Sequence, residues 1–222
     1  MDLIPAATIV TLRQSSTGPE VLLVHRNPEL PVQGGAWSFP GGHVGDCDGS
    51  FEGDQRLDTA KACAVREMRE ETGVGVDPSG LTLLTRWVTP PEMTTRFHSW
   101  IFVTADGGDA VKVDGREIIG HRWCPAGQAL DLHHGGRIRL APPAFVILCN
   151  LLGHATVDGI LDQADRLIPG LFEPRLATLP DGGCALYRED AGYADKDIDR
   201  GGPRHRLWMR AGGWRYERSF TQ

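Results

Sequence analysis

The chain contains the segment REMREETGV at residues 66–74, which places three glutamates within five positions. An α-helix turns by about 100° per residue, so Glu67, Glu70 and Glu71 would share one face. Like charges at these spacings repel each other by roughly 0.2–0.5 kcal/mol per pair, so a solvated helix gains nothing from them. The cluster is either an ordinary glutamate-rich turn or a set of oxygen ligands for Mg²⁺ or Mn²⁺.

The context upstream of the glutamates favours the metal site. The sequence FPGG at residues 39–42 is followed by a polar loop and then by a helical pattern up to Thr72. Together these segments resemble the Nudix hydrolase family, whose motif is G-x5-E-x7-R-E-U-x-E-E-x-G-U, with U an aliphatic residue. Gly42 would open this motif, and residues 66–74 match its second half at every fixed position.

The first half of the motif departs from the family pattern. Gly42 and Arg66 are 24 positions apart where the pattern allows 14, so we expect ten inserted residues in the loop at about 45–56. Eight positions before Arg66 the chain has Asp58 instead of glutamate. Aspartate is a frequent helix N-cap, so we expect Asp58 to cap the helix rather than bind metal. We expect the inserted loop to shape substrate access.

Composition and charge narrow the class of protein. The chain has 222 residues, of which 41% are hydrophobic and 23% charged, as in an ordinary globular domain with a small appendage. A formal net charge of −6 argues against a broad nucleic-acid or membrane-binding surface. Five widely spaced cysteines without a C-x-x-C pair favour free thiols, and no apolar run has transmembrane length. We therefore expect a cytoplasmic protein.

The alternation of apolar and polar residues predicts an α+β fold with a mixed sheet. The expected elements are strands at 6–12, 21–26, 37–39, 81–89, 96–104 and 117–123, helices at 58–72, 144–152 and 157–167, an irregular stretch at 169–180, and then a strand at 183–188 and a hairpin at 205–220. The Nudix resemblance implies an α/β/α sandwich, which agrees. We divide the chain into a Nudix core at 1–140 and a C-terminal elaboration at 141–222 that packs on it.

Flanking segments give a finer resemblance, to the coenzyme A diphosphatase branch of the family. The sequence VLLVHR at 21–26, followed by G-x-x-x-F-P-G-G at 35–42, is similar to the entry motif of that branch. The insertion within the Nudix motif is another shared feature. The second arginine of the entry motif is absent from residues 27–33. Coenzyme A or an acyl derivative is the expected substrate, with ADP-ribose or a nucleotide sugar as the alternative.

The resemblance also implies a role for each residue of the site. Glu67, Glu70 and Glu71 would bind Mg²⁺ or Mn²⁺ together with the backbone carbonyl of Gly42, although the glycines can equally form a simple tight turn. Glu70 is the expected general base. Glu117, in a later loop, is the second candidate, unless it is a solvated residue at a strand start.

Three side chains are candidates for substrate binding. Arg26 and Arg96 can bind phosphate oxygens through two parallel hydrogen bonds, although surface ion pairs explain them equally well. Trp37 can stack on a nucleobase, and core packing is the alternative. The expected partner is a small nucleoside diphosphate derivative, and the family resemblance adds a homodimer built partly from C-terminal elements.

A non-catalytic alternative is a Nudix domain that binds a nucleotide without cleaving it. A DNA-binding version would use the arginines between 200 and 218. Aspartates lie among these arginines, and the segment has no clear recognition helix. The complete glutamate set favours catalysis, and we expect neither nucleic acid nor membrane as a partner.

Overall fold

The computed structural model describes residues 3–219, and a mixed eight-stranded sheet forms its centre. Its strands are β1 (Ile4–Ser15), β2 (Gly18–Arg26), β3 (Trp37–Ser38), β4 (Gly41–His43), β5 (Thr82–Val88), β6 (Phe97–Ala105), β7 (Ile118–Pro125) and β8 (Gly170–Phe172). The order is β3-β2-β1-β6-β5-β8, with β4 paired to β1 and β7 paired to β2. The β1–β6 and β5–β8 pairs are parallel and the others antiparallel, so the predicted mixed sheet is confirmed.

Helices cover both faces of this sheet. They are α1 (Arg56–Thr72), α2 (Ala126–His134), α3 (Pro142–Leu151) and α4 (Val157–Arg166). Successive strand residues point to opposite faces, so Ile9 packs with α1 whereas Val10 packs with α2, α3 and α4. The predicted α/β/α sandwich is thereby confirmed. None of the helices among residues 3–219 is both long and apolar enough to cross a membrane.

Helix α1 forms where the sequence predicts it, with one correction at its start. Its buried residues Ala60, Ala64 and Met68 recur every four positions and face the sheet. Gly73 ends the helix in a left-handed conformation, with φ of 71°. The expected cap at Asp58 is wrong, because the helix begins at Arg56 and Asp58 is an exposed residue of its first turn.

The C-terminal segment forms a second, antiparallel sheet of four strands, in the order β12-β11-β10-β9. These are β9 (Arg175–Leu179), β10 (Gly182–Leu186), β11 (His205–Arg210) and β12 (Gly213–Arg218). Leu207 belongs to the same buried apolar cluster as Phe39 and Phe145, so the small sheet packs on the side of the large sheet that α2, α3 and α4 cover. The predicted hairpin is confirmed. The prediction of irregular structure at 169–180 is wrong, because β8 and β9 lie there.

A buried ion pair holds the connection between β10 and β11. Arg206 donates from Nε and Nη2 to the two carboxylate oxygens of Asp190, at 2.7 and 2.6 Å, and both side chains are almost fully buried. Burial alone would raise the pKa of Asp190, but Arg206 and the backbone amides of His205 and Gly192 lower it below its usual value. This carboxylate is therefore charged in the folded protein at neutral pH.

Candidate active site

The carboxylate of Glu71 is buried against the glycine turn at the start of β4. The residue is 4% exposed, and its Oε2 accepts a hydrogen bond from the backbone N–H of Gly41 at 2.9 Å. Nη1 of Arg26, at the end of β2, lies 3.9 Å from Oε1. Burial raises the pKa of Glu71 to about 8, Gly41 and Arg26 oppose this shift, and the charges of Glu67 and Glu117 add to it. Gly41 and Arg26 therefore stabilise the ionised form of Glu71 only in part, and an additional positive charge would stabilise it further.

The carboxylate of Glu67 lies directly against Gly42, the residue that follows Gly41 in the same turn. A Cβ atom built on Gly42 would be 2.5 Å from both Cδ and Oε1 of Glu67, closer than any real contact. Glycine is therefore required here so that the glutamate can approach the backbone. The carbonyl oxygen of Gly42 lies on the same side, 3.8 Å from the thiol of Cys63, one helical turn before Glu67.

Arg66 holds the carboxylates of the helix in place. Its Nη1 donates to Oε1 of Glu67 and to Oε2 of Glu70, each at 2.8 Å. Its Nε and Nη2 donate to Oδ1 and Oδ2 of Asp48, also at 2.8 Å each. The hydrogen bonds from Arg66 lower the pKa of Asp48. Arg66 thus links the inserted loop to two of the three glutamates.

Asp48 is the site residue that the sequence reasoning missed. Counting back from Arg66 had pointed to Asp58, which is exposed and far from the turn of α1 that carries Glu67. Counting forward from Gly42 instead gives G-x5-D, with Asp48 at the acidic position of the motif. This spacing from Gly42 could have identified Asp48 from the sequence alone. The ten inserted residues therefore lie between Asp48 and Arg66, after the acidic position of the motif.

The oxygen donors around the glycine turn fit a hard divalent cation such as Mg²⁺ or Mn²⁺. Glu67 and Glu71 lie on the two glycines of the turn, and the charge on Glu71 is under-compensated. Within residues 3–219, no three Asp, Glu, His or Cys side chains already converge as a closed set of ligands. The three glutamates do not converge because Glu67 and Glu70 form ion pairs with Arg66.

Of the other predicted site residues, Glu117 lies near the three glutamates and Arg96 does not contact them among the described residues. Glu117 is exposed immediately before β7, and its charge contributes to the raised pKa of Glu71, so it faces the same site. Arg96 precedes β6 and donates from Nε to the carbonyl oxygen of Thr89 at 3.2 Å, a bond that closes the β5–β6 connection. No contact joins Arg96 to the three glutamates among the described residues.

Arg26 and Trp37 face different clefts. Arg26 and Gly41 line a cleft of about 130 Å³ together with Ser38 of β3. Trp37, the residue before Ser38, points to the opposite side of the strand and stacks on His25 with ring centroids 4.9 Å apart. The structure therefore brings Arg26 to the glutamates and places Trp37 in a separate cleft.

Comparison with known proteins agrees with this fold. Residues 2–143 match the family model described as NUDIX domain. A NUDIX hydrolase structure from Alicyclobacillus acidocaldarius has 21% identity and a TM-score of 0.66, over 73% of this chain and 96% of that one. The NUDIX domain of Shewanella oneidensis NrtR complexed with ADP ribose has 17% identity and a TM-score of 0.52, over 67% and 85%. The chain belongs to the NUDIX family.

Proposed function

We propose that the protein hydrolyses the diphosphate bond of a nucleoside diphosphate linked to another group. The observation that carries the proposal is the buried carboxylate of Glu71, held by Gly41 and accompanied by Arg26 and Glu67. Glu67, Glu70, Glu71 and the carbonyl of Gly42 would hold Mg²⁺ or Mn²⁺. When bound, such an ion neutralises phosphate charge and lowers the pKa of a bound water.

The side chains around the turn supply orientation and charge. Arg26 lines the cleft beside Gly41 and is positioned to bind a phosphate oxygen of the substrate. Arg66 fixes the rotamers of Glu67 and Glu70 through ion pairs on one side and Asp48 on the other. A diphosphate entering this cleft would meet the positive side chain of Arg26, which lies 3.9 Å from the carboxylate of Glu71.

Glu70 is the general base in this proposal. Its side chain is 60% exposed and its Oε2 accepts a hydrogen bond from Arg66, so its Oε1 can accept a proton from water. Glu117 is the second candidate because its charge acts on Glu71 from the loop before β7. Comparing Glu70→Gln with Glu117→Gln separates them: the variant that loses the acidic limb of the pH–rate profile carries the base.

Coenzyme A or an acyl derivative is the substrate that we propose to be preferred. The support is the resemblance of residues 21–42 to the entry motif of the coenzyme A diphosphatases and the insertion in the Nudix motif. ADP-ribose comes second, because the NUDIX domain of S. oneidensis NrtR, which has the same fold, is complexed with ADP ribose. Nucleotide sugars are the third group to test.

The arginines of the C-terminal segment favour an enzyme over a DNA-binding regulator. Arg206 is buried on Asp190, Arg200 pairs with Asp195, and Arg215 pairs with Glu217. Arg206 is thus buried away from any phosphate, and the charges of Arg200 and Arg215 are balanced by neighbouring carboxylates. No helix follows α4 within the described part of the chain, so a recognition helix is absent there.

A substrate panel tests the proposal. Wild type and Glu71→Gln are incubated with Mg²⁺ or Mn²⁺ and with coenzyme A, acetyl-coenzyme A, ADP-ribose, a nucleotide sugar and a nucleoside triphosphate. We expect metal-dependent cleavage of a diphosphate by wild type and a loss of about 100-fold or more in Glu71→Gln. Equal turnover in the two proteins, or none with any diphosphate, would contradict the proposal. Cleavage of ADP-ribose without coenzyme A would overturn only the substrate preference.

A further inference from the structure

A second cleft, of about 480 Å³, lies between the large sheet and the C-terminal hairpin. One wall contains Trp37 and His25, and the other contains the β11–β12 turn with Arg210 and Trp214. The end of α2 and the segment after it close the floor with Arg137 and Arg139. This volume is within the roughly 300–1,000 Å³ of ordinary small-molecule sites. The cleft is separate from the one that Arg26 and Gly41 line.

The charge of this cleft is opposite to that of the whole chain. Arg137, Arg139 and Arg210 line it, and none of the three makes an ion pair with a carboxylate among residues 3–219. No aspartate or glutamate lines it; Asp181 belongs to the adjoining depression. In a protein with a formal net charge of −6, such a local concentration of arginines without carboxylate partners favours an anionic ligand, although the guanidinium of Arg210 also stacks on Trp208 at 4.6 Å.

Aromatic rings accompany the arginines. Trp37 and Trp214 are both half-buried, so part of each indole is accessible from the cleft. Trp37 is backed by His25, which stacks on it in parallel. Trp214 is backed by His133, with ring centroids 4.6 Å apart. Two supported indoles beside three guanidinium groups match a ligand that has both a phosphate and a planar base.

The walls of the cleft are held by hydrogen bonds. The backbone N–H of Trp37 donates to the carbonyl of Arg139 at 2.7 Å, which joins β3 to the floor. Nε2 of His134 is 2.8 Å from the carbonyl oxygen of Trp214, which joins the floor to the hairpin. The guanidinium of Arg139 also donates to the carbonyl of Gly34. The walls that carry the two tryptophans and Arg139 are therefore preorganised, which lowers the entropic cost of binding.

We propose that this cleft is a second, metal-independent site that binds a nucleotide, with the phosphate on Arg137 and Arg210 and the base against Trp37 and Trp214. The site lies on the opposite side of β3 from Arg26, so binding there does not require the glutamates. The proposal is thus independent of the reaction assigned to the carboxylates.

Isothermal titration with AMP in EDTA tests the proposal on the full chain. We expect AMP to bind wild type, and we expect binding to weaken by about tenfold or more in Arg137→Glu and in Arg210→Glu. The matched control is Arg166→Glu, because Arg166 is an exposed arginine on α4 that lies outside the cleft. All three arginines are exposed, so each variant is expected to keep the thermal midpoint of wild type.

Titrations with other ligands and with an Arg26 variant identify the ligand and the place where it binds. Ribose 5-phosphate lacks the base and is expected to bind more weakly than AMP; equal binding would overturn the nucleotide assignment. Binding that survives both charge reversals but is lost in Arg26→Ala would place AMP in the other cleft and refute the second site. No binding of AMP to wild type at millimolar concentration, or a preference of 100-fold or more for single-stranded oligonucleotides, would refute it as well.

Discussion

Arg66 and Asp48 are 18 residues apart in sequence and form two parallel hydrogen bonds of 2.8 Å, one from Nε and one from Nη2. The side chain of Asp48 is 2% exposed and that of Arg66 is 24% exposed. Through this pair the inserted loop determines the position of the guanidinium that holds Glu67 and Glu70. The insertion is therefore part of the support of the candidate active site, in addition to any effect on substrate access.

Asp48→Asn is expected to lower both activity and stability. The amide can keep only one of the two bonds and leaves the positive charge of Arg66 without its partner, which we expect to cost about 1–2 kcal/mol of unfolding free energy. That range is below the value for a fully buried pair because Arg66 is partly solvated. Displaced glutamates should lower kcat by about 10- to 100-fold. Urea titration and steady-state kinetics measure the two effects.

The control for this prediction is Asp46→Asn, which removes an exposed carboxylate from the same loop. We expect it to change stability by less than about 0.5 kcal/mol. If the two variants lose the same activity, the effect comes from the net charge of the loop and the pair with Arg66 is irrelevant.

Gly42→Ala is expected to lower activity strongly while the fold remains intact. The added Cβ would collide with the carboxylate of Glu67, and the end of that flexible side chain can move away. We therefore expect a loss of stability under about 1 kcal/mol but a loss of activity of about 100-fold. Kinetics and a thermal melt of the same sample separate the two quantities.

Gly45→Ala is the matched control for Gly42→Ala. Its Cβ would meet Sγ of Cys47 at 3.7 Å and Oδ2 of Asp48 at 3.8 Å, which are ordinary contacts, and its φ of −105° suits any residue. Activity close to that of wild type is expected. A loss equal to that of Gly42→Ala would mean that loop stiffness, and not the approach of Glu67, explains the effect.

Local patterns in the sequence predict the parts of this fold that depend on local interactions. The glutamates of α1, its stop at Gly73 and the α/β/α layers follow from spacing and from the resemblance. Strand β8 was missed because it has three residues and pairs with β5, about 85 positions away. The acidic position of the motif was assigned to Asp58 instead of Asp48 because an insertion changes the count from one side of the motif and not from the other.

Asp190→Asn is expected to destabilise the small sheet by about 3 kcal/mol, because it leaves the buried guanidinium of Arg206 without a negative partner. The pKa of Asp190 in the folded protein is below its usual 3.8. A lowered folded pKa means that the stabilisation is complete above pH of about 4 and is lost as the pH falls through the folded value. The difference in unfolding free energy between wild type and variant should thus shrink below pH 4.

Urea titrations of both proteins between pH 2.5 and 7 measure that difference. The control is Asp195→Asn, which affects an exposed pair with Arg200 and should cost less than about 1 kcal/mol at any pH. A difference for Asp190→Asn that stays constant down to pH 2.5 would show that charge on this carboxylate does not contribute.

Tyr187→Phe is expected to stabilise the protein. Tyr187 is fully buried between the two sheets, and its hydroxyl has no hydrogen-bond partner within residues 3–219. Because an unsatisfied buried hydroxyl costs free energy, its removal at constant ring packing should add about 1 kcal/mol to the free energy of unfolding. Tyr216→Phe should do the opposite, since its hydroxyl is 2.8 Å from Nε2 of His205, and the same urea titration should show a loss of about 1 kcal/mol. Two changes of the same sign would contradict this assignment, because the deleted hydroxyl has a hydrogen-bond partner at Tyr216 and none among residues 3–219 at Tyr187.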